Sequence, residues 1–156
     1  SYIEQSINAG AEVVYTRDTH FDNYMDTQEG KNLPVPHCIK GSKGWEICEE
    51  LKVFQNENTR VFDKLTFGSV ELAGYLKTIE NLERVTLVGL CTDICVISNA
   101  MVIKANLPEI EIKVVEGCCA GVTPEKHKAA LETMKSCQID VLTAEHKYIS
   151  RSRRYV

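Results

Sequence analysis

Short β-branched segments alternate with helical patterns along most of this chain, and this alternation limits the folds that it can adopt. Runs rich in β-branched residues predict strands at residues 11–17, 59–62, 84–89, 110–115 and 138–142. Apolar residues at helical spacing predict helices at residues 69–80, 93–106 and 124–137. Strands that alternate with helices form a parallel sheet through right-handed crossovers, with helices on both faces. The sequence therefore predicts an α/β fold, a three-layer α-β-α arrangement with a Rossmann-like parallel sheet.

One long link, residues 19–58, interrupts the alternation. It contains Pro34, Pro36 and one predicted helix at residues 45–53. Binding sites in open parallel sheets lie at the carboxyl ends of the strands, and this link follows the first predicted strand. We therefore expect the link to contribute to a functional site.

Composition excludes several classes of protein. The chain has 156 residues, 44% of them apolar, which is enough to build a core, and we expect one domain over residues 1–156. The net charge of −4 argues against a nucleic-acid partner, and the basic run at residues 147–154 is interpreted as a solvated tail or an edge strand. No apolar run reaches the roughly 18 residues of a membrane span, and no signal peptide is visible. The seven cysteines lack the spacing of a disulfide framework, which favours reduced thiols in the cytoplasm.

The third predicted strand leads into the segment with the most specific chemistry, Gly-Leu-Cys-Thr-Asp-Ile-Cys-Val at residues 89–96. The apolar run ends at Gly89, and Cys95 follows near the first turn of the next helix. Aligned amides at the start of a helix stabilise a thiolate, so Cys95 is placed to react. Lys64 follows the second predicted strand at the same edge and would add a positive charge. A solvated surface lysine is the simpler interpretation of Lys64 taken alone.

A second group of residues has the composition of a metal site. Asp18 and His20 are two positions apart at the end of the first predicted strand, so their side chains point to the same side. His37 from the long link would add a second imidazole. One carboxylate and two imidazoles suit a divalent transition ion with open positions for water or substrate. Three ordinary surface or hydrogen-bonded residues remain the alternative.

In combination, these motifs resemble those of the isochorismatase-like cysteine hydrolases. Within that family they most resemble the nicotinamidase-like branch, which carries a metal. The resemblance covers about residues 11–142 and rests on Thr-Arg-Asp-x-His, Pro-His-Cys, a lysine followed by Phe-Gly-Ser, and the segment at residues 89–96. It implies Cys95 as the nucleophile and Lys64 as its catalytic partner. It also implies a cis peptide bond between Leu90 and Cys91, with the amides of Cys91 and Cys95 forming an oxyanion hole.

The same resemblance implies Asp18, His20 and His37 as ligands of a divalent metal, zinc first, with manganese or iron as alternatives. It implies a third catalytic residue as well, an aspartate at the end of a strand in the middle of the sheet. The sequence contains no such segment. We therefore expect an N-terminal piece with that strand to precede Ser1, and a gap with apolar walls where the strand would lie.

The substrate pocket departs from the nicotinamidase pattern. Nicotinamidases usually have a tryptophan three residues before the histidine of Pro-His-Cys, and this chain has Pro34 there. Thr19 replaces an aromatic residue between the first two metal ligands. An aromatic contact with the substrate would then come from Phe21, Tyr24 or Trp45, and Leu90 is also assigned to the pocket.

The resemblance implies a hydrolase of small linear or cyclic amides, acting through a thioester on Cys95, that assembles as a homodimer or homotetramer. Two alternatives remain. The metal-free branch of the family uses the same fold to cleave a vinyl ether or an N-carbamoyl group. Outside catalysis, the chain would be an inactive relative or a thiol-rich domain that binds metal or senses redox state.

Overall fold

The strands of this computed structural model pair in parallel and form two sheets. The structure describes residues 1–143 and the backbone of residues 154–155. The first sheet contains β1 (Tyr15–Asp18) and β2 (Val61–Lys64). The second has the order β5-β4-β3-β6 and contains β3 (Arg84–Leu90), β4 (Glu111–Ala120), β5 (Asp140–Leu142) and β6 (Arg154–Tyr155). The predicted α/β fold is confirmed. Apart from the backbone of Arg154, the basic run at residues 147–154 lies outside the described residues.

The described residues form six α-helices, which are α1 (Tyr2–Asn8), α2 (Gln28–Asn32), α3 (Glu49–Lys52), α4 (Val70–Leu76), α5 (Ile97–Asn106) and α6 (Pro124–Ser136). All of them except α3 and α5 begin at a side-chain cap. The Ser69 hydroxyl accepts from Leu72 N–H at the start of α4, and Thr123 caps α6 in the same way ahead of a proline at its first position. In the described part of the chain, no helix combines the length and apolar character that a membrane span needs.

One continuous core fixes the helices on the larger sheet. Its buried members come from α4, β3, the turn before α5, α5 itself, β4, α6 and the start of the last predicted strand: Leu72, Leu76, Val85, Val96, Ala100, Ile103, Ile112, Val114, Leu131, Met134 and Ile139. Burial of side chains of this size stabilises a fold by about 1.5–3 kcal/mol each. The carboxyl ends of β3 and β4, and the turn that follows β3, are therefore held on a rigid base.

A cleft of about 480 Å³ lies between the two sheets. Residues 13–16 line one side and residues 85–90 line the other, with Leu72 and Leu76 of α4 among the apolar side chains of its wall. Among the described residues, β1 pairs with β2 alone, and the two sheets share no ladder. The walls of the cleft are largely apolar, and the cleft reaches Cys95.

The long link contains more structure than the sequence predicted. The single helix predicted at residues 45–53 is wrong: a 3₁₀ turn, Lys43–Trp45, and α3 are separated by extended backbone at Glu46 and Cys48. The reason is tertiary, because the Trp45 indole N–H donates to Thr19 Oγ1 at 2.9 Å and fixes the 3₁₀ turn against the end of β1.

Candidate active site

Three strand ends bring a carboxylate, an ammonium group and a thiol together. Asp18 is paired with Lys64 in the β1–β2 ladder, so each side chain leaves the last position of its strand. The Lys64 ammonium donates to Asp18 Oδ1 at 3.1 Å, to the Thr66 carbonyl at 3.2 Å and to Cys95 Sγ at 3.3 Å. Only 3% of the Lys64 side chain is exposed. All three of its donors therefore have partners in the protein.

The turn after β3 presents Cys95. The peptide bond between Leu90 and Cys91 is cis, as the resemblance implies. A π-helical turn, Thr92–Val96, follows and runs directly into α5. Within it, the Val96 N–H donates to the Cys91 carbonyl at 3.0 Å, one residue beyond the usual helical spacing. Cys95 lies in this turn, where the predicted helix starts, and it is half-buried.

Two further contacts, which the sequence did not reveal, fix this turn to α6 and to the loop that precedes it. The hydroxyl of Thr92, a fully buried residue, lies 2.7 Å from His127 Nδ1. Asp93 Oδ1 accepts from the Val122 N–H at 2.9 Å. His127, to which the sequence assigned no role, therefore supports the turn that carries the thiol.

Next to the Lys64–Cys95 contact lies a cluster of four residues that could hold a metal ion: Asp18, His20, Glu29 and His37. Asp18 Oδ2 is 3.4 Å from His20 Nε2 and 3.6 Å from His37 Nε2. Glu29 Oε1 is 3.6 Å and 3.7 Å from the same two nitrogens. The structure thus brings together all three ligand candidates that the sequence predicted, with Glu29 as a fourth.

The state of the two imidazoles fits a divalent ion. His20 Nε2 is buried and has no hydrogen-bond partner among the described residues, which is costly unless another group binds it. His37 Nδ1 lies 2.8 Å from the Val35 carbonyl, so in the neutral ring this nitrogen bears the proton and Nε2 keeps its lone pair. Ligand atoms bound to one zinc ion at about 2.0–2.1 Å lie roughly 3.3–3.4 Å apart in a tetrahedral site, close to the observed spacings. Mixed nitrogen and oxygen ligands also suit manganese and iron.

Glu29 is the ligand candidate that the sequence analysis missed. It lies on α2, whose next residue, Gly30, packs against the Tyr24 backbone so closely that a Cβ would be 2.1 Å from the Tyr24 carbonyl oxygen. A glycine is therefore required for α2 to bring the carboxylate to the histidines. Asp22 and Asp26 also lie between the two ligand motifs, so the sequence did not show which of the three acidic residues would reach the histidines.

Tyr24, predicted in the substrate pocket, lies against the two histidines. It is 1% exposed, and its ring centroid is 4.8 Å from that of His20 and 5.1 Å from that of His37. Its hydroxyl donates to the Leu33 carbonyl at 2.9 Å. Burial, followed by the Glu29 carboxylate, raises the pKa of this hydroxyl. These contacts hold the imidazole rings in place.

The other pocket candidates are placed differently. Phe21 and Leu90 are 49% and 70% exposed, and Leu90 lines the cleft together with Cys95. Trp45 is occupied elsewhere, because the Arg17 guanidinium lies 3.4 Å from its ring centroid and its N–H binds Thr19.

Other thiols near the site are held in the neutral form. Burial raises the pKa of Cys38 and of Cys91, and raises that of Cys119 to about 11. Cys95 instead accepts a hydrogen bond from a buried ammonium group. An adjacent lysine stabilises the anionic form of a thiol, so the environment of Cys95 differs in kind from that of its neighbours.

Comparison with known proteins agrees with this geometry. The sequence profile of the isochorismatase domain matches residues 2–146. The isochorismatase family protein 2A of Dictyostelium discoideum is 32% identical over 108 residues, which are 64% of this chain. The chain spans about half of that protein's length, 53%.

Two solved structures show the same fold. The pyrazinamidase/nicotinamidase of Streptococcus mutans UA159 superposes with a TM-score of 0.78 at 23% identity, over 90% of this chain and 81% of that one. The pyrazinamidase of Pyrococcus horikoshii in complex with zinc gives 0.73 at 27% identity, over 91% and 80%. The profile match covers nearly the whole sequence, and the chain therefore belongs to the isochorismatase family.

Proposed function

We propose that this protein is an amide hydrolase of the nicotinamidase/pyrazinamidase type, with Cys95 as its nucleophile. The observation that carries the proposal is the hydrogen-bonded row from Cys95 Sγ through Lys64 Nζ to Asp18, which also faces both histidines. The proposed nucleophile, a cation and the candidate metal ligands thus lie together at the carboxyl ends of the strands. The names of the two similar structures support small amides as the substrate class.

In the proposed reaction the Cys95 thiolate attacks the amide carbonyl, and the carbonyl π electrons move to its oxygen. When the tetrahedral intermediate collapses, the C–N bond breaks and the amine leaves with one added proton, which leaves a thioester on Cys95. The Lys64 ammonium is one proton donor within hydrogen-bond distance of the sulfur. Water then attacks the thioester and the C–S bond breaks, which releases the carboxylic acid and the thiolate. The second proton of the water returns to the neutral Lys64 amine and restores its ammonium form.

The negative oxygen of the intermediate needs donors that are already in place. We assign the backbone amides of Cys91 and Cys95 to this role, because both belong to the turn that presents the sulfur. Removing one such donor from an oxyanion hole costs about 2.7–4 kcal/mol in comparable enzymes, so these amides matter as much as the side chains.

Asp18, His20, His37 and Glu29 would hold a divalent metal, zinc first. When bound, such an ion polarises a substrate carbonyl or lowers the pKa of a water ligand. The protein's own part is to keep the ligands oriented, through the His37 bond to the Val35 carbonyl and the packing of Tyr24. We assign Phe21 and Leu90 to contact with the substrate, since both are exposed.

An ammonia-release assay over a panel of small amides, with nicotinamide and pyrazinamide first, tests the proposal. Cys95→Ala should abolish turnover and leave the metal content unchanged, whereas the exposed-thiol control Cys48→Ala should keep full activity. Full activity in Cys95→Ala would end the proposal. Release of ammonia from an N-carbamoyl compound alone, from protein without metal, would favour the metal-free branch.

We also propose that the protein self-associates and works in a reducing compartment such as the cytoplasm. Large apolar side chains that are at least 43% exposed lie in the segments that follow β1 and β2 and at the end of β3: Phe21, Met25, Leu33, Val35, Leu65, Phe67 and Leu90. All seven cysteines are free thiols. Sedimentation velocity at several concentrations tests the first statement, and a monomer at every concentration would contradict it.

A further inference from the structure

A single buried asparagine joins the two parts of the candidate active site. Asn99 lies near the start of α5 and is 4% exposed. Its amide nitrogen donates to the Cys95 carbonyl at 2.8 Å and to the Phe67 carbonyl at 3.3 Å, and its amide oxygen accepts from the Ser69 N–H at 2.9 Å. One side chain therefore connects the Cys95 turn with the segment that follows Lys64.

A second contact fits the same segment to α5. Gly68 lies between Phe67 and Ser69, which both bind the Asn99 side chain. A Cβ at Gly68 would be 3.1 Å from Val102 Cγ2 and 3.4 Å from the Ser98 carbonyl oxygen. A side chain there requires the Val102 side chain to move by a few tenths of an ångström. Residues 65–69 therefore lie directly on the helix that begins at the Cys95 turn.

This connection matters because Lys64 and Cys95 follow two strands, β2 and β3, that do not pair with each other among the described residues. Lys64 ends β2, which pairs with β1, whereas Cys95 follows β3 in the other sheet. Among the described residues, no ladder joins these two sheets. Lys64 Nζ nevertheless lies 3.3 Å from Cys95 Sγ, and hydrogen bonds between a charged donor and its acceptor depend strongly on distance and direction.

We propose that Asn99 is a positioning residue, which sets the separation of Lys64 Nζ and Cys95 Sγ by holding residues 65–69 against the Cys95 turn. The inference rests on the proposed function, in which Cys95 is the nucleophile. In this role Asn99, which also lines the cleft, acts through these two residues. The alternative is a structural role, in which Asn99 merely satisfies buried backbone groups.

The test replaces Asn99 with leucine, which has a similar size but no hydrogen-bonding group. The matched control is Asn106→Leu, because the Asn106 amide donates to the Val102 carbonyl at 2.9 Å, the same four-residue bond at the other end of α5. In Asn99→Leu, kcat for nicotinamide, or for the best amide of the panel, should fall about 10- to 100-fold with KM unchanged. Labelling of Cys95 by iodoacetamide at pH 7, followed by peptide mass spectrometry, should slow about tenfold or more, as for the loss of one charge-assisted hydrogen bond. Asn106→Leu should change neither.

A double-mutant cycle separates positioning from a structural role. If Asn99 acts through Lys64, then adding Asn99→Leu to Lys64→Met should change the labelling rate by less than about twofold, because the contact is already absent. Independent, multiplicative effects of the two substitutions would overturn the proposal.

Two precautions keep the result decisive. If Asn99→Leu does not fold, Asn99→Ala removes the same three hydrogen bonds with a smaller side chain, and it should also slow Cys95 labelling; an unchanged labelling rate in Asn99→Ala would then refute the proposal. Labelling needs no substrate. If the wild-type protein hydrolyses no amide, the proposed function fails, while the labelling rates still decide whether Asn99 positions Lys64.

Discussion

Replacing Lys64 with methionine removes one charge from the centre of the site with little change in side-chain length. Lys64 is 5% exposed, and its ammonium donates to Cys95 Sγ, Asp18 Oδ1 and the Thr66 carbonyl. In Lys64→Met the Cys95 sulfur loses its cationic donor. The Asp18 carboxylate and the sulfur also lose the ammonium group that lies between them and offsets their mutual repulsion. Both changes disfavour a thiolate at position 95.

The distances give the expected size of the effect. Two unit charges at the Nζ–Sγ distance of 3.3 Å interact by 332/(20 × 3.3), about 5 kcal/mol, at an effective dielectric constant of about 20. This is an upper bound, because Asp18 shares the same ammonium group at 3.1 Å. One charged hydrogen bond contributes about 1.5–3 kcal/mol. A loss near 3 kcal/mol corresponds to a decrease of roughly 100-fold in kcat.

Steady-state ammonia release and the rate of Cys95 labelling by iodoacetamide measure this loss. The control is Lys113→Met, because Lys113 is also a largely buried lysine, with its ammonium 2.8 Å from Glu111 Oε1, but it belongs to β4. Lys113→Met should retain activity. If Lys64→Met kept kcat and the labelling rate within about threefold of wild type, the electrostatic role given to Lys64 would be wrong.

Three further predictions follow from particular contacts. Glu29→Gln should weaken zinc binding by at least about tenfold in a chelator competition, because it removes a charged ligand. Asp26→Asn in the same link is the control and should not change the zinc affinity. Equal zinc affinities of Glu29→Gln and the wild-type protein would exclude Glu29 as a ligand. The pKa of Cys119 is raised from 9.0 to about 11, so its protonated form is favoured in the folded state, and the free energy of unfolding should decrease as pH rises from 9 towards 11. In urea titrations at pH 8 and 10, Cys119→Ala should reduce this decrease, and an identical pH dependence would contradict the assignment. Trp45→Phe loses the bond to Thr19 and should lower the free energy of unfolding by about 1 kcal/mol in the same titration.

The fold and the reactive residues could be predicted because they depend on local patterns. The two-residue period of a strand was enough to place Asp18 and His20 on one side, and their ring and carboxylate atoms do converge. The apolar run that ends at Gly89 likewise predicted a strand followed by a helix with Cys95 at its start. Parallel strands bring their carboxyl ends to one edge, which is why Lys64 and Cys95 meet although 31 residues separate them.

Tertiary packing alone decided the contacts between distant segments. Glu29 reaches the histidines because Gly30 lets α2 lie on Tyr24, and nothing in the local sequence distinguished this carboxylate from the other acidic residues of the link. The helix predicted at residues 45–53 is interrupted for the same kind of reason, since a side chain 26 positions away binds the Trp45 indole.

The sequence by itself therefore determined the α/β architecture and the kinds of group at the strand ends. It left open the contacts between distant segments at the site, such as the hydrogen bonds of Asn99 with the Ser69 N–H and the Cys95 carbonyl. The physical reason is that periodicity and capping act within one element, where neighbouring residues set the geometry. Hydrogen bonds between elements depend on where every other element packs, and only the folded chain specifies that.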